Sequence, residues 1–440
     1  VSTTPRTVPV AGRALPSTPW LVGILAALAG TVVVAHDRVV PLGYPLWGLF
    51  RNGLDLLVYR SGGATVWTDA GLYDHALHGG MWFTYPPFSA ILFAPLRAFS
   101  PDMTSLLGYI ANFAFLYLVV VLCWRQLGYR PDRTLYVVSA LLTVIFTWLE
   151  PVRTTIWLGQ INLLLMLLVI WDLGRPQGSR LRGFAVGLTA GIKLTPALFI
   201  VQLVVTRQWR AAATAVATFA VTVAIGFAVI FSDSWAYWTV TLRQSTRIGE
   251  TAWPANQSAA GVIARWLHVA EPPRLLWLAV AAVLAALGMS AVHLAHRHGQ
   301  ALLATTMCGL TACAVSPFSW GHHWVWFVPL IILAIDRAFR SSRAVAFALP
   351  VALAAPLLCW AHQFPDGVWA VGLFMIPAPT ALVPVFAAVY PLLFVVTAVT
   401  VVATLARRRV EEPEVSPQTS CDLPHITVGS REGLGPTPVA

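Results

Sequence analysis

Lys193 is the only lysine in the 440-residue chain, and it lies within GFAVGLTAGIKLTPALFIVQLVV, residues 183–205. An ammonium inside an apolar stretch of bilayer length costs a few kcal/mol on insertion scales. That placement implies an anion to receive it, either an intramembrane carboxylate such as Asp172 or the phosphate of a lipid substrate held with arginine forks. Asp55 is set among apolar residues in Asn52-Gly-Leu-Asp55-Leu-Leu-Val-Tyr59-Arg60. It could be a general base at the membrane interface, or the partner of an ion pair with Arg51 or Arg60. Glu150-Pro-Val-Arg153 runs into Trp157-Leu-Gly-Gln160-Ile-Asn162, where carboxamides, donor and acceptor at once, match sugar hydroxyls or join helices by hydrogen bonds. Arg247 and then Asn256-Gln257-Ser258 follow in a long polar segment, a formal glycosylation sequon that reads better as a cavity lining or an ordinary loop. Ser316-Pro-Phe-Ser-Trp320-Gly-His322-His323-Trp324 closes the set. Its histidines could shuttle protons, hold a metal or stack on sugars, although zinc would need three or four ligands.

The elements that must position these groups are membrane helices. The chain is 58% hydrophobic and only 10% charged, with mean hydropathy +0.72, whereas soluble domains are about a quarter charged. The net charge of +10 is carried by arginines in short loops, where it sets topology; nucleic acid is not an expected partner. The five cysteines show no CxxC spacing, and the four in apolar runs read as small hydrophobes. With about 20 apolar residues per crossing, the candidates are 18–36, 104–124, 209–231, 275–296, 299–315, 344–360 and 380–406, with shorter or interrupted ones at 83–98, 134–149, 157–172, 183–205 and 323–336. The expectation is an all-α polytopic membrane protein of about twelve segments. It divides into a cytoplasmic tail 1–17, a transmembrane domain 18–406 with outside loops 37–82 and 232–274, and a disordered cytoplasmic tail 407–440. The run after the first tail reads as a retained helix rather than a signal peptide.

Arg207 and Arg210, Arg297, Arg337 to Arg343 and Arg407 to Arg409 fall on one side, which the positive-inside rule makes cytoplasmic. Loops 125–133 and 173–182, with three arginines each, obey that rule only if 83–98 and 183–205 are re-entrant and ten segments cross. Pro86-Pro87 and the Gly191/Lys193/Pro196 cluster suit such breaks.

Taken in order, Asp-x-x-Val-Tyr, Gly-x-Tyr, Tyr-Pro-Pro-Phe, Gly-Gln-x-Asn, Gly-x-Lys-x-x-Pro and Asn-Gln-Ser, from about Asp55 to Trp326, resemble the polyprenyl-phosphate-mannose-dependent mannosyltransferases of glycosyltransferase family 87, of the GT-C fold. The resemblance implies an inverting α-1,2 transfer of mannose to a phosphatidylinositol mannoside at a plasma-membrane site facing the periplasm, the branching of lipomannan being the next nearest activity. It implies Asp55 and His322 as catalytic residues. Lys193, Arg153 and Arg247 would bind the donor phosphate, and Tyr59, Arg60, Tyr85, Gln160, Asn162, Asn256, Gln257 and His323 the sugars and acceptor. The chain has no Asp-x-Asp, so no cofactor is implied and a divalent metal is not expected. A transporter or flippase is the competing class, but it would show related halves, and none are visible.

Overall fold

Hydropathy and helix-breaking residues account for most of the architecture of the computed structural model, which describes residues 12–408 apart from 17, 69, 245, 246 and 342. The tail from 409 onward, including Cys421, and residues 1–11 lie outside the described residues. Helices dominate. Five are long and apolar enough to cross a bilayer by themselves: Pro19–Arg38, Pro101–Gln126, Trp209–Val229, Arg274–Arg297 and Val389–Ala406. A sixth crossing is available if Glu150–Leu158 and Asn162–Leu173, bent by 116°, act together. The chain is thus a multi-pass membrane protein. Shorter apolar helices, among them Arg133–Phe146, Ala301–Val315 and Phe327–Phe339, fill the interior. The outward faces of the long helices expose Ile24, Ile110, Val221 and Val283, as lipid-facing surfaces do. The segment 361–379 holds a small antiparallel hairpin, Ala361–Gln363 against Trp369–Val371.

Tertiary contacts sort the loops into two ends. Arg13 pairs with Tyr129, its amide donating to the Gly128 carbonyl at 2.9 Å. The Tyr129 hydroxyl donates to Asp336, which also bridges to Arg340 at 2.7 Å. Gln126 donates to the Ile170 carbonyl, Arg182 to Gln208, and His298 lies 3.0 Å from the Leu405 carbonyl. The arginine-bearing loops, including 125–133 and 173–182, therefore share one end. The opposite end carries the helix Leu54–Thr65, the segment 230–273 and the hairpin.

Two of the twelve candidate segments do not run from end to end. In 83–98 a helix starts at Pro87, near Gly226 and Ser234. It finishes before Phe99, whose carbonyl takes the Arg60 side chain at 2.9 Å. Both points belong to the end opposite the arginine-bearing loops. In 183–205, Phe184–Ile192 is nine residues, about 13 Å of helix against a hydrocarbon core of about 30 Å. Lys193 is extended (φ −146°, ψ 130°), and after Pro196 the helix Leu198–Val205 returns toward Arg182. The first arm packs directly on Trp209–Val229. A Cβ at Gly187 would lie 2.2 Å from the Ala215 carbonyl oxygen, and one at Gly191 2.1 Å from Thr222 Oγ1. Small residues let the two backbones touch, and this contact fixes the depth at which Lys193 is presented.

Candidate active site

The turn before Leu54–Thr65 places the first functional group. Asn52 Oδ1 accepts from the Leu54 amide at 2.8 Å, and the Gly53 amide donates to the Trp157 carbonyl at 2.8 Å. Asp55 thus stands in the first helical turn. Helix Glu150–Leu158 ends at Gly159 in the left-handed region (φ 69°), where a Cβ would lie 2.7 Å from that of Leu56. A residue with φ > 0 and no side chain is required there, and it delivers Gln160 onto Asp55. Gln160 Nε2 donates to Asp55 Oδ2 at 2.6 Å, while its Oε1 accepts from the hydroxyls of Tyr59 at 2.8 Å and Tyr85 at 3.0 Å. The two hydroxyls are themselves 2.9 Å apart. The carboxamide is therefore oriented, with its donor face committed to the carboxylate.

Lys193 Nζ sits 5.0 Å from the centre of the Tyr85 ring, within cation–π reach. It donates to Asn162 Oδ1 at 3.0 Å and lies 3.1 Å from His323 Nε2. Among the described residues no carboxylate is within ion-pair distance of it. Asp172, the candidate intramembrane partner, instead bridges to Arg175 and accepts from the amides of Gly183, Ala185 and Val186. Asn162 passes its other end to the His322 carbonyl at 2.9 Å. His322 and His323 are edge to face at 4.6 Å, and His322 Nε2 and His323 Nδ1 have no protein partner. Arg247 stacks over Trp82 at 4.1 Å and donates to the Tyr73 carbonyl.

These groups border one cavity of about 990 Å³, toward the upper end of the roughly 300–1,000 Å³ usual for ligand pockets. Asp55, Tyr59, Tyr85, Arg153, Gln160, Lys193, Arg247, His322 and His323 all line it. Burial pushes the Asp55 carboxyl up to about 6, against the opposing hydrogen bond from Gln160 and the charge of Lys193. Burial, then the Lys193 charge, holds the His322 imidazole well below its usual value, so it is neutral. A carboxylate still ionised at neutral pH, facing a fixed ammonium, can take a proton while the cation receives a departing anion.

Four of the expected contact residues do not reach the cavity. Arg60 turns away to the Phe99 carbonyl. Asn256 and Gln257 are fully buried and tie loops together. Asn256 donates to Thr251 and Pro317 carbonyls and accepts from the Ser258 and Ser319 amides. Gln257 donates to Pro254 and Ala387 carbonyls. Asn162 acts through Lys193 and His322 instead of lining the space. An ion pair of Asp55 with Arg51 or Arg60 is not formed. Conversely, Thr154, Trp47 and Trp369 line the cavity with no sequence signal to mark them, and Glu150, part of the Glu150-Pro-Val-Arg153 motif, lines it too.

This geometry, an apolar-walled cavity at one end of a helical membrane bundle lined by a carboxylate and an ammonium that has no carboxylate partner among the described residues, is a pocket built to take a polar ligand at the membrane. The profile of "Glycosyltransferase family 87" matches residues 83–317. A Mycobacterium tuberculosis protein described as a polyprenol-phosphate-mannose-dependent alpha-(1-2)-phosphatidylinositol mannoside mannosyltransferase is 33% identical over 75% of this chain and 83% of its own length. Another from the same species, described as the corresponding pentamannoside mannosyltransferase, is 39% identical over 66% of this chain and 68% of its own. A Mycolicibacterium smegmatis pentamannoside mannosyltransferase is 34% identical over 79% and 83%. No solved structure matches the chain. The chain belongs to glycosyltransferase family 87 and is a glycosyltransferase.

Proposed function

We propose that this enzyme transfers mannose from polyprenyl-phosphate-mannose to a phosphatidylinositol mannoside, forming an α-1,2 bond with inversion. The observation that carries the reading is that Asp55 and Lys193 line one cavity and are linked through Gln160 and Tyr85 without pairing directly. The acceptor 2-hydroxyl attacks the anomeric carbon and its proton passes to Asp55. The bond from that carbon to the phosphate oxygen breaks, and the lipid phosphate leaves with the electron pair. Lys193 and Arg247 offset the charge that develops on it, at low effective dielectric. His322 Nε2 and the Tyr59–Tyr85–Gln160 network orient the sugars. No metal has a part in this scheme, and a chelator should leave turnover unchanged.

With 83–98 and 183–205 not crossing, ten of the twelve candidate segments traverse the bilayer, in keeping with a GT-C type of bundle. The arginine loops then lie in the cytoplasm, and the cavity opens outside. Purified protein given labelled polyprenyl-phosphate-mannose and a panel of phosphatidylinositol mannosides should yield an α-1,2-linked product. Absence of transfer to every acceptor, or retention of configuration, would overturn the reading. Gln363→Cys should react with an impermeant thiol reagent in intact cells and Arg337→Cys only after permeabilisation; the opposite pattern would reverse the sidedness.

A further inference from the structure

The cavity has a second polar pole that the transfer step does not use. Glu150 is 2% exposed, yet it borders the cavity. Its oxygens accept from the Thr154 hydroxyl at 2.8 Å and the Tyr390 hydroxyl at 2.7 Å. Two hydrogen bonds do not exhaust a carboxyl group, which keeps further accepting capacity. Arg153 is on the same helix and 1% exposed; it donates to the Trp47 carbonyl at 2.7 Å, and its Nε has no partner. The two do not form an ion pair with each other. Buried polar groups with bonding capacity left over are costly unless something else satisfies them. Beside them Trp47 and Trp157 stack at 5.4 Å with a 12° interplanar angle, and Trp369 of the hairpin faces the same space. A carboxylate and a guanidinium with spare capacity, next to indole faces, are what a polyol with apolar ring faces requires. Among the described residues no hydrogen bond joins Glu150 or Arg153 to Asp55, Gln160 or Lys193, so the pole is separate from the reacting groups. It is nonetheless in register with them, because a Cβ on Gly321, next to His322, would lie 2.6 Å from Glu150 Oε2.

We propose that the Glu150–Arg153 pole is a subsite for the mannose units of the acceptor, and that it sets which acceptor is used. This rests on the mannosyltransferase reading above and moves Arg153 from the donor phosphate to the acceptor sugars. In steady state, Glu150→Gln should raise the acceptor KM by about tenfold or more, the worth of hydrogen bonds to a charged group, and leave the donor KM unchanged. The same split should appear as binding of each substrate to the Asp55→Asn protein with and without Glu150→Gln. Trp369→Ala, on the hairpin and outside the helical core, should give the split as well and carries the test if Glu150→Gln does not fold. Unchanged acceptor KM and binding in a variant of wild-type thermal midpoint would overturn the subsite, and so would equal losses for donor and acceptor. If the wild-type protein transfers mannose and the split is missing, this inference alone fails; if it transfers none, both fall.

Discussion

Replacing Asp55 by asparagine should move activity and stability in opposite directions. In the fold the Asp55 carboxyl titrates near about 6 because burial outweighs the help of Gln160 and Lys193. The folded value lies above that of an unfolded aspartate. Between about pH 4 and 6 the unfolded chain therefore releases this proton first, and stability falls as pH rises through that window. Above about 6 the penalty is complete, about two pK units or about 3 kcal/mol. Asparagine cannot ionise, and its amide still fits the 2.6 Å contact with Gln160. Asp55→Asn should thus be stabilised by up to about 3 kcal/mol near neutral pH and hardly at all near pH 4. It loses the proton acceptor, which is worth about 10²- to 10⁴-fold in rate. The assay is turnover with lipid-linked mannose, together with the thermal midpoint in one detergent at two pH values. Near-normal turnover would refute the role of the base. A lowered midpoint at both pH values would refute the electrostatic reasoning and point to lost packing.

Wild-type turnover should be flat above about pH 7 and fall about tenfold per pH unit below about 6, as the base is protonated; a profile level down to pH 5 would assign the proton to another group. Lys193→Met should cut kcat/KM for the donor by about 10²-fold, in the range for loss of one stabilising donor, with a smaller effect on acceptor KM; unchanged donor kinetics would remove the phosphate role. Asn256→Ala should lower stability by about 3 kcal/mol, since two buried amides and the Thr251 carbonyl lose their partner, and leave both KM values of the folded fraction alone; a selective KM effect would return Asn256 to the sugar site.

Asp55 and Lys193 could be found from sequence because a charge within an apolar run demands an explanation wherever it lies. The same logic fails for Asn256 and Gln257. A polar run between helices looks alike whether it faces a ligand or, as here, spends its hydrogen bonds on the carbonyls and amides of Thr251, Pro317, Ser319 and Ala387. Arg60 is hidden from sequence for a related reason: its distance from Asp55 along the chain says nothing of helix face, and five residues on it points to Phe99. Segment 183–205 has the length and hydropathy of a crossing, and hydropathy counts residues but carries no direction. Only contacts such as Arg182 with Gln208, and Gly187 against Ala215, reveal that it turns back. Glu150 and Tyr390 are 240 residues apart, beyond any local pattern.

The turned-back segment 183–205 and the Gln160 bridge answer one physical problem. Under the proposed function, the carboxylate that takes the proton and the ammonium that binds the phosphate share one low-dielectric cavity, where they attract each other strongly. A direct pair would silence both, since the carboxylate would lose its readiness to take a proton and the cation its vacancy for an anion. Here the tip of segment 183–205 holds Lys193 with neutral partners only, Asn162, His323 and the Tyr85 ring. Gln160 gives Asp55 a neutral donor and turns its own oxygen to two tyrosine hydroxyls. The two charges are close enough for the Lys193 charge to act on the Asp55 carboxyl, yet a layer of neutral dipoles keeps them from pairing. Under the proposed function, the missing counter-ion of Lys193 arrives with the substrate, so the attraction that would otherwise collapse the site is used to bind the phosphate whose departure drives the transfer.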